Sequence, residues 1–204
     1  MNAQGEPVDV VELLQAASLL VPEARAGAGD LTVSDVWEYL RDDAWEVAVG
    51  MLEELADAPP LAADRWRELA LAAEQLCLPR SAAWCRWRGG EARHGVVRAE
   101  LTLAPAAESR RRTSLPGAGV LRPMWGIGNR APDGGPAFDV AALWVEHLPH
   151  LEPGGTATVR LAPLVPSHWR RLRPGQVITL HEDRTAGGTA VVLDVRDLRD
   201  PPAP

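Results

Sequence analysis

Between residues 97 and 195 the apolar side chains of this chain tend to recur at every second position, and glycine and proline interrupt the alternation. Val97–Leu103 and Ala157–Leu161 both alternate apolar with polar residues, as half-buried strands do. Pro-Gly pairs at 116–117, 153–154 and 174–175 preset the first torsion of a tight turn and tolerate a positive φ at the next residue. Several short strands punctuated in this way favour a closed antiparallel β-barrel or a sandwich over a parallel sheet.

Upstream of residue 89 the apolar spacing changes to three and four residues, which is the period of amphipathic helices. The sequence predicts helices over these segments: Val8–Leu20, Ser34–Ala56 as one long helix or a bent pair, Leu61–Leu78 and Arg80–Arg88. Thr32 or Ser34 is expected to be an N-cap, because Asp35 would then lie in the first turn, where a carboxylate favours the helix dipole. We therefore expect an α+β protein, with a small helical bundle followed by an antiparallel β-barrel.

The two parts also differ in charge. Residues 1–93 carry 17 acidic and 8 basic side chains, a net charge of −9, whereas residues 94–204 have a net charge of +2. A general nucleic-acid binder is expected to have a basic domain, and neither part fits that description. We predict an acidic helical domain over residues 1–93, a barrel over residues 94–198 and a flexible tail over residues 199–204.

The order of motifs in the second part resembles one known barrel. The motifs are Arg110–Thr113, Arg122-Pro123 followed by Trp125, Pro153-Gly154, Ile178–Glu182, Gly187-Gly188 and Val191-Val192. Over residues 97–198 this order is similar to the C-terminal β-barrel of elongation factor Tu and its relatives. That family has an arginine-threonine turn, a Tyr-Arg-Pro-Gln-aromatic strand, a Pro-Gly hairpin and a closing Gly-Val-Val. In this chain Leu121 stands in place of the Tyr, Met124 in place of the Gln, and Asp183-Arg184 where the family has Gly-Gly.

The resemblance implies a docking surface, since in these relatives the barrel contacts the GTPase domain, aminoacyl-tRNA and an exchange factor. The resemblance suggests six partner-binding positions, which we call the arginine surface: Arg110, Arg111, Arg112, Arg122, Asp183 and Arg184. Guanidinium groups suit a carboxylate or phosphate partner. We expect a protein partner, with RNA as the less favoured choice. The alternative for the arginine turn is a solvated turn, or pairing with the chain's own acidic helices.

The helical part gives a weaker likeness. Its apolar positions from Trp45 to Leu76 resemble a helical hairpin of tetratricopeptide arrays, but one hairpin lacks the period that identifies a repeat.

The chain also contains no lysine, so it lacks the Gly-x-x-x-x-Gly-Lys-[Ser/Thr] loop of nucleotide-binding GTPases. We expect it to bind no guanine nucleotide and no other cofactor.

One group of histidines could be assembled into a metal site. His147 and His150 are three residues apart, and Glu152 and His168 could complete the set. Pro149 breaks the regular helix that would fix both rings, and no HExxH or CxxC pattern supports the site. We therefore predict no bound metal.

Nucleophilic chemistry has equally little support. The chain has no Gly-x-Ser-x-Gly elbow, and Cys85 has no base identifiable from the sequence. Cys77 and Cys85 are expected to be free, mostly buried thiols of a cytoplasmic protein. Residues 1–7 lack the basic start of a signal peptide, and no apolar run is long enough to cross a bilayer. Because the sequence shows no catalytic motif, the protein is predicted not to be an enzyme.

Three classes of function remain open from the sequence. The first is a non-catalytic macromolecule-binding or adaptor protein with a translation-factor-like barrel. The second is an immunity or inhibitor protein that neutralises a basic toxin or nuclease through an acidic helical face at Glu38, Asp42, Asp43 and Glu46. The third is an unrecognised enzyme whose residues come from the mouth of the barrel.

Overall fold

The computed structural model describes residues 9–19, 21, 31–55, 62–109, 111–182 and 185–200. The chain divides into two compact units, Met1–Ala92 and Arg93–Pro204. The first unit is helical and the second is built around a closed antiparallel barrel, so the predicted α+β class is confirmed. Among the described residues, every helix is too short or too polar to cross a lipid bilayer.

The helices lie where the apolar spacing predicts them. They are α1 (Val10–Ser18), α2 (Val33–Arg41), α3 (Trp45–Leu55), α4 (Ala63–Gln75) and α5 (Pro79–His94). The segment predicted as one long helix or a bent pair is a pair, because the chain turns between α2 and α3 with Asp43 at a φ of 56°. The core between the helices contains fully buried Leu14, Leu52, Trp66 and Leu69.

Thr32 is the N-cap of α2, in a reciprocal capping box. Its Oγ1 accepts from the backbone N–H of Asp35 at 3.4 Å, and Asp35 Oδ2 accepts from the backbone N–H of Thr32 at 2.7 Å. The hydrogen bond from the Thr32 side chain, followed by that from its backbone, lowers the pKa of Asp35. The box fixes the point at which the chain enters the helix.

Replacing Thr32 with Ala is expected to lower the free energy of unfolding of the helical unit by about 1 kcal/mol, because the cap hydrogen bond is lost. Urea unfolding followed by far-UV circular dichroism measures the change. Ser34→Ala is the matched control, since Ser34 is exposed inside α2. Equal effects of the two substitutions would rule out the capping role of Thr32.

The last helix is longer than the sequence predicts. It was expected to end near Arg88, before the Gly89-Gly90 pair, but α5 continues to His94. Arg88 and Glu91 form a buried ion pair at 2.8 Å that spans the two glycines. A side chain at position 89 would lie 3.3 Å from Trp66 Cβ, so here glycine permits close helix packing and does not end the helix.

In the described part of the second unit there are eight strands and one short helix. They are β1 (Val96–Leu103), β2 (Leu115–Pro116), β3 (Met124–Gly126), β4 (Asp139–Val145), β5 (His150–Leu151), β6 (Thr156–Pro163), α6 (Pro166–Trp169), β7 (Val177–Glu182) and β8 (Thr185–Arg196). Six strands close the barrel in the order β1-β6-β4-β3-β7-β8, and β2 pairs with β5 outside it. The first and last strands are neighbours, with Val96 opposite Arg196, and the backbone N–H of Arg199 donates to His94 O at 3.0 Å.

The interior of the barrel is filled with side chains. Val97, Ala99 and Leu101 of β1 are fully buried, while Glu100 between them is exposed, which confirms the predicted alternation. Trp125 and Trp169 are also fully buried and meet edge to face, with ring centroids 6.4 Å apart. Close packing of aliphatic and aromatic groups makes this a solid core rather than a lumen.

Two of the three Pro-Gly pairs form the predicted turns. Gly154 and Gly175 have φ values of 80° and 83° and lie just before β6 and β7. The prediction for Pro116-Gly117 is wrong, because Pro116 pairs with His150 in a strand. A Cβ on Gly117 would lie 2.5 Å from the Leu148 carbonyl oxygen, so this glycine permits a close backbone approach.

Candidate functional site

The arginine surface is partly described by the structure. Arg110, Asp183 and Arg184 lie outside the described residues, whereas Arg111, Arg112 and Arg122 lie within them. Arg111 forms an ion pair with Glu182, the last residue of β7, and donates from Nη1 to the Ser114 carbonyl at 3.5 Å. This contact joins the arginine turn to the end of β7, although the two are 71 residues apart.

Arg112 and Arg122 differ from Arg111. Both are exposed, and neither makes an ion pair or hydrogen bond with another described residue. Arg122 lies two residues before β3, whose first residue Met124 pairs with His181, next to Glu182. The arginine turn, the entry to β3 and the end of β7 therefore lie at the same side of the barrel.

The acidic helical face is exposed. It consists of Glu38, Asp42, Asp43 and Glu46, at the end of α2, in the following turn and at the start of α3. Arg41 lies 3.6 Å from Asp42, with both side chains more than 70% exposed. An exposed pair of this kind contributes little stability, so the carboxylates remain available to a partner.

The barrel wall contains a buried carboxylate that the sequence did not single out. Glu146 accepts from Arg98 Nε and Nη2 at 2.9 and 2.8 Å and from Arg160 Nη1 at 2.9 Å. Arg160 is 2% exposed and Glu146 8%. Burial raises the pKa of Glu146, but the hydrogen bond from Arg98 and the charge of Arg160 outweigh burial and hold the pKa below its ordinary value. The group stays ionised and links β1 to β6.

A cleft of about 650 Å³ opens on the barrel unit between the β3–β4 connection and α6. Its polar and aromatic lining includes Asn129, Arg130, Phe138, Asp139, His168 and Arg171. The size lies within the range of small-molecule sites in proteins. The cleft therefore forms a second candidate site, separate in its residues from the arginine surface.

Asp139 organises the centre of this cleft. Its Oδ2 accepts from Asn129 Nδ2 at 2.9 Å, and its Oδ1 lies 2.6 Å from His168 Nδ1. The Asp139 side chain is 10% exposed, whereas that of His168 is 53% exposed. A carboxylate at Nδ1 fixes the imidazole orientation and leaves Nε2 as the ring nitrogen available to a ligand.

Two sets of local contacts hold the walls of the cleft. In the β3–β4 connection Arg130 and Pro136 form an antiparallel β-bridge, and Arg130 Nη1 donates to the Gly134 carbonyl at 2.8 Å.

Around α6, Asp200 accepts from the backbone N–H of Ser167 and from Arg170 Nη2, both at 2.9 Å. The hydrogen bond from Ser167 is the main cause that lowers the pKa of Asp200. Residue 200, which the sequence places in a flexible tail, thus contacts the helix that positions His168.

Two of the three histidines considered for a metal site pair with different carboxylates. His150 Nε2 lies 3.3 Å from Glu152, and His168 pairs with Asp139. Within the described part of the chain no cluster of three or more His, Cys, Asp or Glu side chains could hold a metal ion. The pairing of His168 with Asp139, 29 residues away, had no signal in the sequence.

The two cysteines are free but not alike. Cys85 is buried, as expected, whereas Cys77 is exposed, which corrects the prediction that both are mostly buried. Burial, followed by the nearby Glu53 carboxylate, raises the pKa of the Cys85 thiol. The thiol is therefore protonated at neutral pH and is a poor nucleophile.

No protein-family model matches the sequence, and neither does any curated protein.

Proposed function

We propose that this chain is a non-catalytic macromolecule-binding or adaptor protein that contacts its partner through the arginine surface of the barrel. The observation that carries the proposal is the Arg111–Glu182 ion pair, which joins the arginine turn to the end of β7. The pair provides a fixed base beside two exposed guanidinium groups, those of Arg112 and Arg122, that have no partner among the described residues. Exposed guanidinium groups suit recognition of an anionic surface.

The filled interior of the barrel also favours an external binding surface. Trp125, Trp169 and the aliphatic side chains occupy the space that a ligand-binding barrel would leave open. In the proposed relationship to the C-terminal barrel of elongation factor Tu, the outer wall of the barrel would be the surface that docks a macromolecule. A protein with exposed carboxylates is the preferred partner, because the chain's own net charge of −7 disfavours a long nucleic acid.

The test is capture of partners from the native cell by the full chain, compared between two double variants. Arg112→Ala with Arg122→Ala removes the two arginines of the surface that have no partner among the described residues. Arg67→Ala with Arg199→Ala is the matched control, because both arginines are exposed and have no side-chain partner among the described residues. Both variants change the net charge equally, and both should keep the melting temperature of the wild type.

We expect the first variant to bind the captured partner at least about tenfold more weakly, since each lost charge-assisted hydrogen bond contributes about 1.5–3 kcal/mol. The control variant should bind as the wild type does. Equal binding by all three proteins would move recognition away from the arginine surface. Loss of capture after ribonuclease treatment would replace the protein partner with RNA.

A second candidate function is an immunity or inhibitor protein, and the exposed acidic helical face favours it. Its four carboxylates could cover a basic active site of a toxin or nuclease. Replacing Glu38 and Glu46 with Gln and Asp42 and Asp43 with Asn tests this possibility in the same capture experiment. Loss of the partner only in this variant would favour the inhibitor function over the adaptor function.

A further inference from the structure

We propose that the cleft between the β3–β4 connection and α6 binds a small phosphorylated ligand, with the phosphate group held by Arg130, Arg171 and His168 Nε2. This site shares no residue with the arginine surface and does not depend on it. Asp139 acts as a positioning residue, because its carboxylate holds the imidazole of His168 at 2.6 Å.

The orientation of the imidazole is the first step of the argument. Each oxygen of Asp139 already has a partner, Asn129 on Oδ2 and His168 on Oδ1. The carboxylate is nine-tenths buried, so these contacts satisfy it and it has little surface left for a ligand. His168 lines the cleft with Nε2 as its unused nitrogen, and that nitrogen can donate to an oxyanion when the ring is protonated.

The charge of the lining is the second step. Two guanidinium groups and an imidazole face one carboxylate that is already engaged, so the cleft favours an anion over a cation. Arg171 is exposed and makes no ion pair or hydrogen bond with another described residue. Among the described residues Arg130 donates a side-chain hydrogen bond only from Nη1, to the Gly134 carbonyl, so its remaining N–H groups are available. Guanidinium forks bind phosphate oxygens in pairs, which makes phosphate the fitting anion.

The shape of the cleft is the third step. A volume of about 650 Å³ exceeds what a phosphate group alone would fill. Phe138 supplies an aromatic wall for the remainder of the ligand, and its ring packs against His181 with centroids 4.4 Å apart. The ligand class is therefore a phosphate monoester of a small organic molecule.

The experiment uses the full chain and follows the five histidine side chains by NMR during titration with glycerol 3-phosphate. The expected result is a saturable shift of the His168 ring signals with no comparable shift of His150. His150 is an internal control, because it is also about half exposed and also lies beside a carboxylate, Glu152. Sodium chloride at matched ionic strength should leave both residues unchanged.

Variants locate the site. Arg171→Ala should weaken binding of glycerol 3-phosphate about tenfold or more, as expected for the loss of a charged hydrogen-bond donor. Arg199→Ala, which removes an exposed arginine elsewhere in the same unit, should not change it. Asp139→Asn should weaken binding as well and alter the His168 signals before ligand is added, because the Nδ1 acceptor is weakened.

Four outcomes would overturn the proposal. One is a titration with no saturable change at His168, and another is a shift shared equally by His150 and His168, which would indicate general charge screening. The third is a response of His168 to single-stranded RNA but not to glycerol 3-phosphate, which would assign the cleft to a polymer phosphate. Unchanged affinity in Arg171→Ala would likewise remove the guanidinium group from the site.

Discussion

Replacing Glu146 with Ala is expected to lower the free energy of unfolding of the barrel by about 3–5 kcal/mol, because it removes the carboxylate that pairs with the buried guanidinium group of Arg160. Arg160 is 2% exposed and donates to Glu146 at 2.9 Å, so water cannot readily replace the lost carboxylate. Arg98 also loses a bidentate partner. Urea unfolding followed by the amide NMR signals of β1 and β6 measures the loss in this unit alone.

Glu100→Ala is the matched control for this prediction. Glu100 lies on the same strand as Arg98 but is exposed, so its removal should change the free energy of unfolding by no more than about 0.5 kcal/mol. If Glu146→Ala and Glu100→Ala destabilise the barrel equally, the buried network does not contribute as the geometry indicates.

The same network predicts a pH dependence. The folded state holds the pKa of Glu146 below its ordinary value of 4.5, so its contribution to stability is present above that value and is lost as pH falls through the folded pKa. Glu146→Gln has no group to titrate at this position. The stability difference between the wild type and Glu146→Gln should therefore be largest near neutral pH and shrink on acidification. A difference that grows at low pH would contradict the assignment.

The second large effect is expected at Trp125. Trp125→Ala should destabilise the barrel by about 3–5 kcal/mol, because it removes a fully buried ring that packs edge to face on Trp169. The indole Nε1 of Trp125 has no hydrogen-bond partner among the described residues. Trp125→Phe should therefore cost much less, since it keeps most of the buried ring and removes an unsatisfied donor.

Thermal unfolding and urea unfolding of both Trp125 variants test this order. Leu193→Ala on the outer wall of the barrel is the control, because Leu193 is 44% exposed and its truncation leaves no internal cavity. A Trp125→Ala protein as stable as Leu193→Ala would mean that Trp125 does not anchor the core.

The parts of the fold that depend on local periodicity were predictable from the sequence. The alternation in Val97–Leu103 directly reports which side chains face the barrel core, and Thr32 followed by Asp35 directly reports a helix start. The glycines were harder. Gly89 lies inside a helix, where it permits close packing against Trp66 Cβ. Gly117 lies where the backbone passes close to the Leu148 carbonyl. Those neighbours are set by tertiary structure and leave no local pattern.

The candidate sites show the same division. The resemblance to the elongation factor Tu barrel suggested the arginine turn and the turn after β7 as parts of one surface. Only the structure places Arg111 against Glu182. From the sequence, His168 is grouped with His147 and His150 because all three are possible metal ligands. In the structure its partner is Asp139, at the start of β4. A hydrogen bond between the start of β4 and α6 depends on strand order and register, which a single sequence does not specify.

The pairing of β1 with β8 has a consequence for the order in which the barrel can form during synthesis. Val96 pairs with Arg196, so the first strand to leave the ribosome must wait for the last before the ring of hydrogen bonds is complete. In the interval β1 and β7 each present an unpaired edge, and such edges invite pairing with other chains. Closure also joins residues about a hundred positions apart, which is the kind of contact that slows folding. The nascent barrel is therefore most exposed to aggregation and to chaperones just before its final strand emerges.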